Sequence, residues 1–103
     1  MLKNQVRTAQ RSLDIHGAFV RRTDLSGASL REANLAGADA TNAIFRDVDF
    51  EGALLTRTIL RGADLTGAKN LTVEQLSAAI IDDRTILPGY IDRTKLRGVI
   101  ASK

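Results

Sequence analysis

The stretch TDLSG ASLRE ANLAG, residues 23–37, places a leucine at every fifth position, at Leu25, Leu30 and Leu35. An α-helix turns by about 100° per residue, so five steps would point these leucines in different directions around its axis. A flat strand alternates its side chains, so an odd step would send successive leucines to opposite faces. The period therefore requires a backbone that turns between one leucine and the next.

The five-residue register runs without a gap over residues 13–72, which makes twelve units. The first position of a unit is nearly always small, and the third is large and apolar in all units except those with Ala40 and Asn70. These third-position residues are Ile15, Val20, Leu25, Leu30, Leu35, Phe45, Phe50, Leu55, Leu60 and Leu65. If the chain turns a quarter circle per unit, every third residue points to a common axis and four units complete one coil.

Units such as TDLSG, ANLAG and ADLTG match the motif A(D/N)LXX, so residues 13–72 resemble the pentapeptide-repeat family. The resemblance implies an all-β solenoid, the right-handed quadrilateral β-helix, with about three coils. Residues twenty apart should then stack at the strand spacing of about 4.8 Å. The undersized Ala40 would share a coil with Phe45 and Phe50, which we expect to fill the space it leaves.

The ends of a solenoid need caps. Thr72 and Gln75 form a capping-box pattern, so we predict a helix over residues 73–81 and a short α-helical cap over residues 73–88, ending at Pro88.

Outside the repeats and this cap, we predict an N-terminal cap or tail over residues 1–12, with a basic membrane-surface helix as the alternative. Residues 89–103 are predicted to be a tail that packs on the cap or on a second subunit. Within this tail, TKLRG (residues 94–98) matches one isolated repeat unit.

Composition excludes several classes of function. The 103 residues suit one domain, and the absence of cysteine excludes disulfides and thiolate chemistry and fits a reducing compartment. No apolar run reaches the length of a signal peptide or a membrane span, so we expect a cytoplasmic protein. The net charge of +3 hides a nearly neutral stretch over residues 13–70, with seven basic and eight acidic residues. We therefore expect no nucleic-acid partner.

Catalytic chemistry is not predicted. His16 is the only histidine, lies at an outward fourth position and has no sequence-local base, nucleophile or second metal ligand, so a solvated or locally bonded histidine is expected. The aspartates that recur at second positions are predicted to bond the backbone in turns. We predict no enzyme activity, no cofactor, no metal and no small-molecule substrate.

Function is then expected on an outer face, where second and fourth positions should be polar. Phe19 and Ile59 instead occupy second positions of one predicted column, near Arg21, Arg22 and Arg61. Apolar anchors beside arginines are typical of protein interfaces, so these five residues form a candidate interface. The competing interpretation is that the N-terminal segment covers Phe19 and the C-terminal tail covers Ile59.

Two functions remain from the sequence. The favoured one is a non-catalytic structural or protein-interaction module that binds a partner or its own copy, most simply as a homodimer, with an acidic partner as the competitor. The alternative comes from the resemblance, because the family includes DNA-mimicking proteins that bind gyrase and other topoisomerases. Those arrays are longer and strongly acidic, which this near-neutral array is not.

Overall fold

The computed structural model describes residues 13–96, and within them the backbone forms a four-sided coil. Parallel bridges join second-position residues of successive coils in four columns. These columns are Asp14–Asn34–Leu54 on side 1, Phe19–Asp39–Ile59 on side 2, Asp24–Ile44–Asp64 on side 3 and Ser29–Asp49–Lys69 on side 4. Each bridge is isolated, so a side is a single bridged residue flanked by corners.

Left-handed backbone at the fifth position makes the corners. Every fifth-position residue from Gly17 to Gly67 has a φ angle between 57° and 78°. Glycine adopts this conformation freely, but Arg22, Glu32 and Arg57 adopt it too, at a cost of about 1–2 kcal/mol each. The turn is closed by the next unit's first N–H, which donates to the third-position carbonyl, as Ala18 does to Ile15 at 3.0 Å.

The remaining backbone donors connect the coils. Second-position N–H groups donate to the preceding coil, as Asp39 N does to Ala18 O at 2.8 Å. Third- and fifth-position N–H groups donate to the following coil, as Ala40 N does to Ile59 O at 2.8 Å. The fourth-position N–H has no backbone acceptor in any described coil.

The core lies along the axis of the coil, as the sequence predicts. Leu35, Ala40, Phe45 and Phe50 are fully buried, whereas third-position residues of the first described coil are mostly half-buried. The rings of Phe45 and Phe50 pack at a centroid distance of 5.6 Å and a tilt of 57°. They lie in the same coil as Ala40, where large neighbours can offset its small volume.

Helix α1, Val73–Ala78, follows the repeats and is tied to the last full coil. Thr72 and Gln75 form the predicted capping box. Gln75 also reaches beyond its own helix, because its Nε2 donates to Phe50 O at 2.9 Å and to Ala53 O at 3.0 Å. One side chain therefore caps both the helix and the end of the array.

The helical prediction for residues 73–81 is wrong beyond Ala78, and the cap over residues 73–88 is mostly not helical. Ala79 is extended, Ile80 bridges Ile59, and Ile86 bridges Asp64. The coil ladder therefore continues past residue 72 on sides 2 and 3, and α1 takes the place of the next side-1 unit. Pairing with the preceding coil satisfies backbone groups that a longer helix would have left at the end of the array.

The described part of the C-terminal tail packs on this closing segment. A 3-10 helix, Arg93–Leu96, contacts α1 and buries Leu96 completely. The Tyr90 hydroxyl donates to Ala68 O and accepts from Leu71 N. Residues 94–96 of the predicted repeat unit at 94–98 thus belong to a 3-10 helix and not to a coil. Residues 1–12, with the predicted N-terminal cap, and residues 97–103 lie outside the described residues.

Two glycines of one corner column should differ in their tolerance of alanine. Gly27 and Gly67 have φ angles of 78° and 71°, but a Cβ at Gly27 meets nothing within 4 Å, whereas a Cβ at Gly67 would overlap the Asp47 carboxylate. Gly27→Ala should lower the free energy of unfolding by about 1–2 kcal/mol through backbone strain alone. Gly67→Ala should lower it further, and equal losses in denaturant unfolding would contradict this account.

Gln75→Glu should separate the two roles of this side chain. The carboxylate can still accept from Thr72 N, but it cannot donate to Phe50 O and Ala53 O. We expect a loss of about 1–3 kcal/mol in urea unfolding, because the donors at the end of the array disappear. Glu74→Gln, at the exposed neighbouring position, is the control and should change stability by less than about 1 kcal/mol.

Candidate protein-interaction surface

The five candidate residues lie together on side 2. Phe19 and Ile59 share its second-position column, separated by Asp39, and Ile80 extends the column. Arg21 and Arg61 occupy fourth positions of the same side, while Arg22 is a left-handed corner residue. These residues are called the side-2 surface below: Phe19, Asp39, Ile59, Ile80, Arg21, Thr41, Arg61 and Arg22.

The two apolar anchors differ in exposure. Phe19 is 83% exposed, the largest value among the exposed large hydrophobic residues. Ile59 is half-buried, and its bridge partners are Asp39 and Ile80. Ile80, in the segment that follows α1, continues the column past Ile59. The cover expected for Phe19 from residues 1–12 lies outside the described residues.

Second-position carboxylates and amides have a common structural role at most corners. Their side-chain oxygens accept the outward N–H of the fourth position, which has no backbone acceptor. The pairs are Asp14 with His16, Asp24 with Ser26, Asn34 with Ala36, Asp39 with Thr41, Asp49 with Glu51, and Asp64 with Thr66, at 3.0–3.2 Å. The predicted turn bonding of these aspartates is therefore confirmed.

Phe19 and Ile59 cannot accept such a bond. The N–H groups of Arg21 and Arg61 consequently lose the side-chain partner that equivalent groups have on the aspartate-containing units. A hydrogen bond of this kind contributes about 0.5–1.5 kcal/mol. Apolar residues at these positions are thus unfavourable for the isolated fold, and an exposed phenylalanine adds no compensating burial.

Arginines at fourth positions follow a second rule, which the sequence analysis missed. Three of the four in the described coils pair with the second-position aspartate on the same side of the following coil, eighteen residues later. These pairs are Arg21–Asp39 at 3.0 Å, Arg31–Asp49 at 3.2 Å and Arg46–Asp64 at 3.0 Å. The sequence signal for this pairing is a fourth-position arginine followed by an aspartate eighteen residues later, which is one coil of twenty residues less the two positions between them.

Arg61 is the exception to this rule. The column position below it is occupied by Ile80, because the insertion of α1 shifts the register there by one residue. Within residues 13–96, no ion pair joins Arg61 or Arg22 to a carboxylate. The side-2 surface therefore holds two guanidinium groups that the described fold does not neutralise.

A depression of about 400 Å³ lies at one end of this surface and is lined by Arg21, Arg22, Thr41 and Asn42. Asp39 lies beside it and stays ionised, because the Thr41 hydroxyl, at 2.6 Å, and the Arg21 guanidinium both lower the pKa of its carboxyl. The surface thus offers guanidinium donors around one fixed carboxylate, next to apolar side chains. Such an arrangement suits recognition of another charged and apolar surface.

His16 lies on side 1, away from this surface. Its Nδ1 is 2.6 Å from Asp14 Oδ1, so the expectation that it has no sequence-local base is wrong, and it is a locally bonded histidine. The hydrogen bond with Asp14 raises the pKa of His16. Both side chains are exposed, which makes the pair a turn feature.

Over residues 13–96, no group of three or more histidine, aspartate or glutamate side chains is placed to hold a metal ion. The same part of the chain contains no helix with the length and hydropathy needed to span a membrane.

The His16–Asp14 pair predicts a pH effect. The raised pKa of His16 means that protonation favours the folded state, so this small stabilisation is present below the ordinary histidine pKa and is lost as the pH rises through the raised value. NMR titration of the imidazole should give a pKa above 6.5. Asp14→Asn should return it towards that value while Asp24→Asn should not, and an unchanged His16 pKa in Asp14→Asn would refute the pairing.

Comparison with known proteins gives one family. The model for pentapeptide repeats matches residues 13–47 and 33–69, which together make more than half of the chain. A comparison with curated protein sequences gives no match.

Solved structures give the same result. A pentapeptide repeat protein from the cyanobacterium Cyanothece 51142 is 29% identical, with a TM-score of 0.66 over 75% of this chain and 52% of that one. One from Nostoc Pcc 7120 is 27% identical, with a TM-score of 0.56 over 97% and 92%. One from the Arabidopsis thaliana thylakoid lumen is 28% identical, with a TM-score of 0.57 over 84% and 61%.

The chain spans about half the length of the first of these structures. The likeness implies that the four-sided coil is the right-handed quadrilateral β-helix of these proteins. With the repeat register, the left-handed corners and the family match in agreement, the chain belongs to the pentapeptide-repeat family.

Proposed function

We propose that this protein is a non-catalytic interaction module that binds another protein through the side-2 surface. The observation that carries the proposal is Phe19, which is 83% exposed at a position where an aspartate or asparagine would bond the backbone. Burial in a complex would explain an exposed aromatic side chain that gains little burial within the described residues.

The surroundings of Phe19 support the same role. Ile59 and Ile80 continue the apolar column, and Arg21, Arg22 and Arg61 line it on one side. Aromatic residues and arginine are enriched in protein interfaces and among their hot spots. The pentapeptide-repeat fold is also generally a structural and non-catalytic one.

The gyrase-binding alternative has less support. A mimic of DNA needs a dense negative surface, whereas Asp39, Asp49 and Asp64 are each paired with an arginine of the preceding coil. Side 2 carries three arginines and Asp39, and Asp82 joins them through its bond to Gly62 N, so the net charge is +1 and not negative. A supercoiling assay with purified gyrase should therefore show no inhibition.

The cytoplasm remains our proposed compartment, on the basis of the absence of cysteine. The similar plant protein comes from the thylakoid lumen, which makes a lumenal location the competing proposal. Fractionation of the source cells, with an antibody against this chain, decides between the two.

The test of the interaction surface uses two asparagine substitutions. Phe19→Asn and Leu54→Asn both replace an exposed apolar residue at a second position, on side 2 and side 1. Each should restore the bond that Asn34 makes to Ala36 N, so neither should lower the melting temperature. A photo-crosslinking amino acid at position 41 should give a defined protein adduct in source cells, and only Phe19→Asn should abolish it.

Position 26, on side 3, provides the negative control for the crosslinker. Equal adducts from positions 41 and 26, or an adduct at position 41 that survives Phe19→Asn, would contradict the proposed surface. Sedimentation of the purified chain at several concentrations shows whether the adduct is a second copy.

A further inference from the structure

Arg22 and Arg61, which have no ion-pair partner among the described residues, indicate the chemistry of the partner. This inference rests on the proposed function. We propose that the side-2 surface binds an acidic amphipathic helix of another protein, with one carboxylate of that helix placed below Arg61. Three fourth-position arginines in the described coils have an aspartate at this place, and Arg61 has Ile80 instead. A partner carboxylate would complete the same ion pair from outside.

The second basic position is the depression lined by Arg21 and Arg22. Arg21 already binds Asp39, so Arg22 is the guanidinium available to a ligand there. Arg22 directly follows Arg21, which occupies the position equivalent to Arg61 two coils away, so Arg22 and Arg61 are about 10 Å apart along the coil axis at the usual strand spacing. The partner should therefore carry two acidic groups separated by about this distance.

This separation favours a helix over an extended strand. Residues i and i+7 of an α-helix lie about 10.5 Å apart along its axis and on the same side. Three residues of a strand span about 10 Å, but their side chains point to opposite faces. An amphipathic helix also presents an apolar stripe next to a charged one, as the side-2 surface does with its apolar column and its arginine column.

Asp39 restricts which residues the partner helix can carry between its two acidic positions. It lies between Phe19 and Ile59 in the column, and its lowered pKa keeps it negative. A carboxylate midway between the two acidic residues of the partner would be repelled, whereas an apolar or basic residue would not. The partner helix should thus carry acidic residues at i and i+7 and none at i+3 or i+4.

A second copy of this chain fits the surface less well. A two-fold axis through side 2 would bring Arg22 and Arg61 of one copy towards the same residues of the other. The carboxylates that each copy offers there, Asp39 and Asp82, are already paired with Arg21 and Arg84. The side-2 surface, with Arg22 and Arg61 outside any ion pair of the described residues, is complementary to an acidic partner.

Synthetic helices provide the probe. The test peptide carries leucines on one stripe, glutamates at i and i+7 and a lysine at i+4, and the matched peptide has glutamine in place of both glutamates. Isothermal titration with the full chain should give a dissociation constant about tenfold lower for the glutamate peptide. A third peptide, with its glutamates at i and i+4, should bind as weakly as the glutamine peptide.

Matched variants assign the effect to Arg61. Arg61→Gln should weaken binding of the glutamate peptide about tenfold. Arg46→Gln, which removes a paired arginine on side 3, should change it by less than about twofold. Ile80→Asp should place a carboxylate of the chain itself below Arg61 and block the peptide, while Ile44→Asp on side 3 should not.

Four results would overturn the inference: no binding of the glutamate peptide, equal affinities for the glutamate and glutamine peptides, equal effects of Arg61→Gln and Arg46→Gln, and a homodimer that Phe19→Asn dissociates. The last result would leave the proposed function intact, because the surface would still bind protein. If the adduct at position 41 depends on Phe19 but the glutamate peptide fails, only the acidic helix is wrong.

Discussion

The quarter turn at every fifth residue is the constraint on which the rest of the structure depends. Because all these residues have left-handed backbone, the third-position side chain of each unit points to the axis and the second-position N–H faces the neighbouring coil. The ladder and the core are therefore produced by the same torsion angle. A corner that failed would misplace both, which explains why the array accepts the strain of Arg22, Glu32 and Arg57.

The sequence predicted the array because its period is a geometric consequence of this turn. The four columns, the burial of Ala40 beside Phe45 and the turn-bonding aspartates all follow from counting in fives and twenties. The prediction from this period failed after residue 72, where the five-residue register is broken. Ile80 and Ile86 joined the ladder at spacings of 21 and 22 residues because pairing with the preceding coil outweighed local helix propensity.

The candidate surface was predicted in position but not in its electrostatics. The columns brought Phe19 and Ile59 together from the sequence alone. The presence of Ile80, and not an aspartate, below Arg61 depends on the one-residue shift caused by α1. The pairing of arginine with aspartate on the next coil also required knowing which side chains lie across a coil boundary. On side 2, Phe19 and Ile59 cannot accept the hydrogen bond that a second-position aspartate accepts from the fourth-position N–H. Such a loss of stability at a surface is typical of a site selected for binding.

The insertion of α1 has a consequence for how the chain folds. Every bridge described here joins residues only 20–22 positions apart, so each new coil closes a loop of the same modest length and meets nearly the same entropic barrier. The helix lies inside two of these loops, which are longer by one and by two residues, and this changes their closure entropy by a negligible amount. Folding can therefore proceed by adding one coil at a time to the first stable pair, and the closing segment docks as one more coil, so termination of the solenoid needs no separate nucleation event.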